Sequence, residues 1–385
     1  MKYSDFEDSP AGRLVPTVYD ARAFVPNPLP PTLDINEFAF EWVAAGTAMG
    51  ELRGACRKLQ NPYMLIRPLQ RLEAQTTSAM EGTFTTADAL ARTEAGLEPN
   101  PSSDDIEAAN FTKALSFATE ALATLPISGR LLKQAHLKLL EGVNQIRGRD
   151  AHPGEYARDQ NMIGGYRIES TRFVPPPPRD SIDAMADLER FINREDAPPA
   201  QALLDIALVH YQFETIHPFA DGNGRLGRML ITLMAMTRGQ LDLPVLYMSP
   251  ELESRKDEYI DLMYNVSAKG AWGDWMRFFL SVMGESCART TRTIDAIIAL
   301  QADHHGRLRA KSRSMNAAIV LDALFDSPFV DASQVSRIAS VTDAGARNIL
   351  RQLVDIGILV ALDHYPRLWY APEILRVSDP RSMTA

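Results

Sequence analysis

Cysteine is almost missing from this chain: Cys56 and Cys287, far apart, are the whole supply. Two distant thiols leave no material for a disulfide framework or a thiolate zinc site, and they read as buried thiols in a reducing cytosol. Long apolar runs are missing as well. None approaches the roughly 20 residues that a bilayer-spanning helix needs, so no membrane partner is expected. A surplus of positive charge is also absent. The 40 Lys and Arg stand against 49 Asp and Glu, a net charge of −9, which gives no general attraction to nucleic acid or anionic membrane. The opening Met1-Lys2-Tyr3-Ser4-Asp5-Phe6-Glu7-Asp8 has neither a basic n-region nor an apolar h-region. No signal peptide is therefore expected, and the expected location is cytoplasmic. No internal repeat of about 20–50 residues recurs, which sets solenoids and propellers aside. What is present has the make-up of a soluble globular protein, 45% hydrophobic and 23% charged. A length of 385 residues is enough for two or three compact units.

Against that plain background stands His217-Pro218-Phe219-Ala220-Asp221-Gly222-Asn223-Gly224-Arg225-Leu226-Gly227-Arg228. Helix-patterned segments flank it, with Leu204, Ala207, Leu208 and Tyr211 upstream and Leu226, Leu230, Leu233 and Met234 downstream. His-Pro breaks the first helix, because the residue before a proline is pushed out of the α region. Asp-Gly-Asn-Gly supplies positions where a positive φ is cheap. The second helix starts there, so its unpaired N–H groups and positive dipole end face the loop and form an anion site. Arg225 and Arg228, three apart, share a face and can clamp further phosphate oxygens. Asp221 is the hard oxygen ligand that Mg²⁺ prefers. His217 is the one group of the loop whose ordinary pKa suits general acid/base work near neutrality. A Gly-Asn-Gly turn alone is nearly always a turn, and a lone His before Pro is usually structural. Here base, carboxylate, glycines and arginines fall in one loop-to-helix junction, which reads as a phosphate cradle with a base at its edge. No Gly-Lys-Ser/Thr is present and no strand precedes the loop, so it is not a Walker A motif.

The stretch from His217 to Arg228 resembles the signature of Fic-domain proteins, His-Pro-Phe-x-Asp/Glu-Gly-Asn-Gly-Arg-x-x-Arg, at every specified position. The resemblance implies an all-helical domain that moves a nucleotide monophosphate, most often AMP from Mg·ATP, to a hydroxyl side chain of a protein. It implies that His217 takes the proton from that hydroxyl and that Asp221 holds Mg²⁺. It further implies that Gly222, Asn223 and Gly224 form the phosphate hole, with Arg225 and Arg228 on the distal phosphates. Phe219 reads as a core anchor for the loop.

Along the chain, prolines at 10, 16, 26, 28, 30 and 31 predict an extended arm over the first 35 residues or so. A helical pattern follows from Asp34, is interrupted at Pro62 and resumes near Tyr63 with Leu65, Leu69 and Leu72 on one face. That second stretch ends Thr76-Thr77-Ser78-Ala79-Met80-Glu81-Gly82. Gly82 is a helix stop, so Glu81 falls in the last turn, a position where a carboxylate opposes the helix dipole. By itself Glu81 reads as a solvated glutamate. Thr77-x-x-x-Glu81-Gly82 also resembles the inhibitory Ser/Thr-x-x-x-Glu-Gly/Asn motif of self-inhibited Fic proteins, whose glutamate pairs with the second arginine of the signature, here Arg228. Unit charges about 4 Å apart attract by about 4 kcal/mol at an effective dielectric near 20, before desolvation is subtracted. A net preference of about 2–3 kcal/mol holds about 99% of molecules closed.

Helices are predicted at about 104–124, 128–146 and 180–194, with a hairpin and rigid proline run from Gly154 to Pro178 between the last two. Within the resemblance this hairpin is the flap over the active site, which registers the target segment by β-augmentation. Relatives show Gly-x-Tyr-Arg there, whereas Ala157 separates Tyr156 from Arg158 in this chain. A helix at about 251–268 offers Tyr259, Tyr264 and Asn265 as base or ribose contacts, with burial in the core the plainer reading for the tyrosines. Another helix runs from Trp272 to about 303. The tail is predicted as a helix at 315–326, a helix-turn-helix ending before Gly357, and two short strands flanking Asp363-His364-Tyr365-Pro366, which resembles a winged helix. Its second helix carries Arg347 and Arg351 but also Asp343 and Asp355, thin material for phosphate neutralisation. A protein-contact or dimer role is therefore preferred to DNA binding.

The expected fold class is all-α: a Fic helical core with a β-hairpin flap, an N-terminal helical region and a small C-terminal winged-helix-like domain. The expected divisions are 1–110, 111–304 and 305–385. The expected function is a self-inhibited protein adenylyltransferase using ATP and Mg²⁺ on a protein substrate with a Ser, Thr or Tyr hydroxyl. A DNA-binding regulator with the Fic core as sensor, transfer of another nucleotide or phosphate group, and an inactive scaffold are the alternatives. The intact His217, Asp221 and Asn223 argue against the last.

Overall fold

The early prolines keep the first stretch out of helix. It folds as two antiparallel strands, β1 (Gly12–Pro16) and β2 (Arg22–Pro26), paired from Gly12↔Pro26 to Pro16↔Arg22. The extended arm is thus folded back on itself. The computed structural model describes residues 1–59, 61–143, 152–165, 167–362 and 367–377. After the strands the chain is helical: α1 (Ala39–Cys56), α2 (Pro62–Leu65), α3 (Arg67–Met80), α4 (Ala87–Glu94), α5 (Ser103–Ala121) and α6 (Gly129–Leu139). Next come α7 (Pro178–Ile192), α8 (Ala202–Ile216), α9 (Asn223–Thr237), α10 (Ser249–Ser254), α11 (Lys256–Lys269) and α12 (Trp272–Lys311). The remainder is α13 (Met315–Asp326), β3 (Phe329–Val330), α14 (Ala332–Ala339), α15 (Asp343–Asp355), β4 (Val360–Leu362), β5 (Leu368–Tyr370) and α16 (Pro372–Val377). The all-α class read from the sequence is the class observed.

Packing divides the chain into two compact units, Met1–Gly50 with Asn110–Cys287, and Glu51–Ala109 with Ala288–Ala385. The core of the first is α8, every residue of which is buried. Its sequence Ala-Leu-Leu-Asp-Ile-Ala-Leu-Val-His-Tyr-Gln-Phe-Glu-Thr-Ile is apolar on all sides, the pattern of a helix surrounded by others. Two of its polar members show how such side chains are held there. Asp205 meets Arg194 at 2.7 Å and Arg238 at 3.2 Å, and the Tyr211 hydroxyl lies 2.8 Å from Ser267 Oγ. The β1–β2 pair joins this unit through Phe24, which packs with Phe6, Ala11, Phe173 and Ala268 and donates its N–H to Val174 O at 2.9 Å.

Several expected boundaries move. Among the described residues, the hairpin predicted between Gly154 and Pro178 is reduced to one bridge, Ile163↔Phe173, whose N–H···O contacts are 2.9 and 3.1 Å. Pro175 to Pro178 have no N–H with which to extend a ladder, and Pro178 instead opens α7, where a missing N–H is harmless. The helix expected to reach 146 ends at Leu139, and residues 144–146 lie outside the described ones. The helix expected at 251–268 is split at Arg255 (φ −125°, ψ 33°) into α10 and α11. No proline stops α12 near 303, and it continues to Lys311.

In the second unit, β3 follows α13, and β4 and β5 come after α14 and α15 and join it in a sheet of order β3-β5-β4, antiparallel throughout. Asp331 and Gln334 close a capping box on α14, Thr342 caps α15, and Gly357 (φ +75°) follows its end. The turn expected at 363–366 lies outside the described residues.

Candidate active site

Helix α8 ends because His217 takes the left-handed conformation (φ 50°, ψ 57°) and Pro218 follows it. The His217 N–H still donates to Phe213 O at 2.9 Å, so the residue closes the helix. Its ring turns back, with Nδ1 3.3 Å from Glu214 O. A carbonyl only accepts, so this contact places the ring proton on Nδ1 and leaves the lone pair on Nε2. Phe219, fully buried, roots the loop. Asn223 braces it from the first residue of α9: its Oδ1 accepts from Phe219 N–H at 2.9 Å and its Nδ2 donates to Phe219 O at 2.6 Å. The side chain of Asn223 is thereby committed to the backbone, and what the junction offers an anion are the N–H groups of the first turn of α9, which have no intrahelical acceptor. Gly222 sits at φ +79°, where a side chain would also crowd Leu139 and His136.

The segment from Gly154 to Ile163 is tied to this loop at its carbonyls. Asn161 Nδ2 donates to His217 O at 2.7 Å and to Phe219 O at 2.9 Å, and Ala157 N donates to Pro218 O at 2.8 Å. His136, on α6, adds a link between them. Gly154 N donates to its Nδ1 at 2.8 Å, so its proton sits on Nε2, which donates to Asp221 O at 3.0 Å. The ring stacks on Phe219 with centroids 4.1 Å apart. Burial holds His136 well below the usual histidine range, at about 4, and it is neutral at physiological pH. Tyr156 meets Phe219 edge-on at 5.2 Å, and burial, with Glu189 nearby, pushes its hydroxyl up to about 12.

Arg225 and Arg228 are both almost wholly buried, at 1% and 3% exposure. Arg225 reaches Asp221 Oδ1 at 3.3 Å, and the same oxygen accepts from Gly222 N–H at 2.6 Å. Neither contact uses Oδ2. No group of three or more His, Cys, Asp or Glu able to hold a metal ion occurs among the described residues. A Mg²⁺ that travels with phosphates needs only one or two carboxylates from the protein, and Asp221, with its side chain 37% exposed, fits that requirement. Between the arginines Gly227 touches α8, where a Cβ would run into Glu214 Oε1 and Phe213. Its carbonyl lies 3.1 Å from Nδ1 of His210, whose Nε2 is 2.9 Å from the Tyr259 hydroxyl. Burial holds His210 down at about 3.

The structure thus brings together His217, Asp221, Gly222, Asn223, Gly224, Arg225 and Arg228 at one loop-to-helix junction of the first unit. Glu81 lies in the second unit, as the exposed residue capping α3, with Gly82 (φ +79°) after it. Within that unit α3 is held to α4 by the buried Arg71–Glu94 pair at 2.7 Å. Tyr259 is core, as its hydroxyl on His210 shows. Tyr264 packs edge-on against Phe6 at 5.1 Å and donates to Asp5 at 3.0 Å. Arg158 is exposed and pairs with Glu155 at 2.6 Å. A groove of about 860 Å³ is lined in part by Tyr19, Gln160, Met162 and Arg167 and by no residue of the 217–228 loop. Sequence reasoning missed His136, Asn161 and His210. Each is a single polar residue in an apolar or loop context, and no spacing pattern marks it.

Comparison with known proteins bears on the family and the fold. Residues 126–235 match the Fic/DOC family model, and residues 41–120 match the model of the Fic/DOC family N-terminal region. Protein adenylyltransferase Fic of Drosophila melanogaster is 35% identical over 106 residues, 28% of this chain and 19% of that protein. The protein of the same name from Drosophila virilis is 34% identical over 115 residues, 30% of this chain and 21% of that protein. The chain therefore spans about a fifth of the length of the curated relatives it matches. A Fic family protein from Desulfovibrio desulfuricans G20 has a similar fold, with a TM-score of 0.54 at 20% identity over 90% of this chain and 98% of that one. Fic-1 from C. elegans gives 0.50 at 20% identity over 68% and 72% of the two chains. Family models, relatives and fold agree with the loop that the sequence singled out, and the chain is a Fic-domain protein.

Proposed function

We propose that the chain transfers AMP from Mg·ATP to a Ser, Thr or Tyr hydroxyl of a protein. The observation that carries the reading is the state of His217, whose Nδ1–H is spent on Glu214 O and whose Nε2 is left as a base beside the N-terminus of α9. In the step inferred, Nε2 takes the hydroxyl proton and the oxygen attacks the α-phosphorus of ATP. An O–P bond forms, the bond to the β-phosphate oxygen breaks, and pyrophosphate leaves. The N–H groups of Asn223 and Gly224 face the charge that develops, and Arg225 and Arg228 hold the distal phosphates. Mg²⁺, held by Asp221 when bound with the nucleotide, would neutralise phosphate charge. The flap offers its backbone to an extended target segment, and the adjoining groove gives that segment room. The curated relatives named protein adenylyltransferase support the reading over the aligned part.

Control by Glu81 belongs to the same proposal. If its carboxylate competes with the γ-phosphate for the Arg228 guanidinium, the bound nucleotide is held in a pose unsuited to transfer. The deciding experiment is incubation with labelled ATP, UTP, GTP and CTP plus Mg²⁺, followed by mass spectrometry for modified Ser, Thr or Tyr. Label transferred from ATP supports the reading. Label from another nucleotide alone replaces the donor, and no transfer by either wild type or Glu81→Gly overturns it.

A further inference from the structure

We propose that Asn161 is a positioning residue for His217: it holds the catalytic histidine in its left-handed backbone conformation and so fixes which ring nitrogen is the base. His217 is one of four non-glycine residues with positive φ among the described residues, and it is the one at the reacting centre. That conformation is unfavourable for a residue with a side chain, and a following proline removes the right-handed alternative. Something outside the local sequence must hold it. The carbonyls of His217 and Phe219, on either side of Pro218, are brought close enough to share one amide, and Asn161 Nδ2 donates one hydrogen to each, at 2.7 and 2.9 Å. Pro218 O, between them, accepts from Ala157 N at 2.8 Å. Three successive carbonyls are thus capped by one neighbouring segment.

The consequence for the ring follows from geometry. The Nδ1–H···O contact to Glu214 is 3.3 Å, a long bond that tolerates little drift. It survives only while His217 turns back over the last turn of α8. If the backbone relaxes toward the extended region, Nδ1 loses its acceptor and the ring is free to carry its proton on Nε2, the form unable to accept a proton there. Asn161 therefore acts on the tautomer of His217 rather than on the nucleotide, since both of its bonds go to backbone oxygens on the flap side of the loop.

The test uses the full chain labelled with ¹⁵N-histidine. Ring nitrogen shifts report the tautomer, and the His217 signal among seven histidines is the one missing in His217→Gln. Wild type is expected to show one tautomer, with the proton on Nδ1. Asn161→Ala and Asn161→Asp are both expected to show a mixture, because neither can donate to two carbonyls. In both, kcat for transfer should fall about 10- to 100-fold with the KM for nucleotide unchanged. Asn161→Asp keeps the side-chain volume and carries the readout if the alanine variant fails to fold. A folded variant that retains the Nδ1–H tautomer and wild-type kcat overturns the proposal, as does a fall in nucleotide affinity equal to the fall in kcat. The kcat arm rests on the transferase reading, and the tautomer arm does not. A wild type without transfer but with the expected tautomer change removes the function and leaves the positioning role. Transfer in wild type with no tautomer change does the reverse.

Discussion

Replacing His210 by phenylalanine should make the chain less stable at neutral pH and more resistant to acid. His210 is 1% exposed and its ring lies between α8 and α9, parallel to Trp275 within 11°. Phenylalanine keeps the flat ring and loses two hydrogen bonds, to Gly227 O and from the Tyr259 hydroxyl. Neutral buried hydrogen bonds contribute about 1 kcal/mol each, so the variant should be about 2 kcal/mol less stable at pH 7.5. Acid reverses this. The histidine pKa is about 3 in the fold against 6.5 when unperturbed. A depressed folded value means that the unfolded chain binds the proton first, so the contribution is fully present above pH 6.5 and is lost as pH falls toward 3. At pH 5, a distance of about 1.5 units below the unfolded value, the wild type has lost about 2 kcal/mol through this residue alone. The variant loses none of it, and all other titrating groups are common to both. Urea unfolding followed by tryptophan fluorescence, with Trp275 in contact with the site, should give stability curves that meet near pH 5 and cross below it. Parallel curves from pH 7.5 to 4.5 would show that the fold does not exclude the proton from His210, and the reasoning from burial would fail.

His217→Ala should lower transfer by about 10²–10⁴-fold while nucleotide binding, followed by calorimetry, survives, because the imidazole supplies proton abstraction. Glu81→Gly should raise transfer about 30- to 150-fold if the closed state is favoured by about 2–3 kcal/mol, and Arg228→Ala in that background should remove the gain in a radiolabelled ATP assay. Gly227→Ala should lower stability by about 1–3 kcal/mol, read by denaturation, because its Cβ runs into Glu214 and Phe213 where α8 meets α9. The full chain should bind DNA only weakly at physiological salt; nanomolar, sequence-specific gel shifts would instead favour a regulator acting through Arg347 and Arg351.

The candidate loop from His217 to Arg228 was legible because its groups are contiguous. Base, carboxylate, glycines and arginines lie within one loop and one helical turn, and backbone rules for Pro218 and Gly222 act on neighbours. Helix α13, from Met315 to Asp326, was legible for the same reason: its apolar spacing and the Ser314 cap are local. The stop of α3 before Gly82 needed only a glycine that accepts a positive φ. Tertiary structure alone decided the supports. His136 meets Asp221 across 85 positions, Asn161 meets His217 across 56, and His210 reaches Tyr259 across 49. It alone decided that residues 51–109 pack with 288–385 as one unit. A hydrogen bond between distant segments leaves no period in the sequence, because its partners are brought together by burial of apolar faces elsewhere, and one polar residue fits many such arrangements. The sequence therefore determined which groups stand together at the candidate site, and packing determined which groups hold them in place.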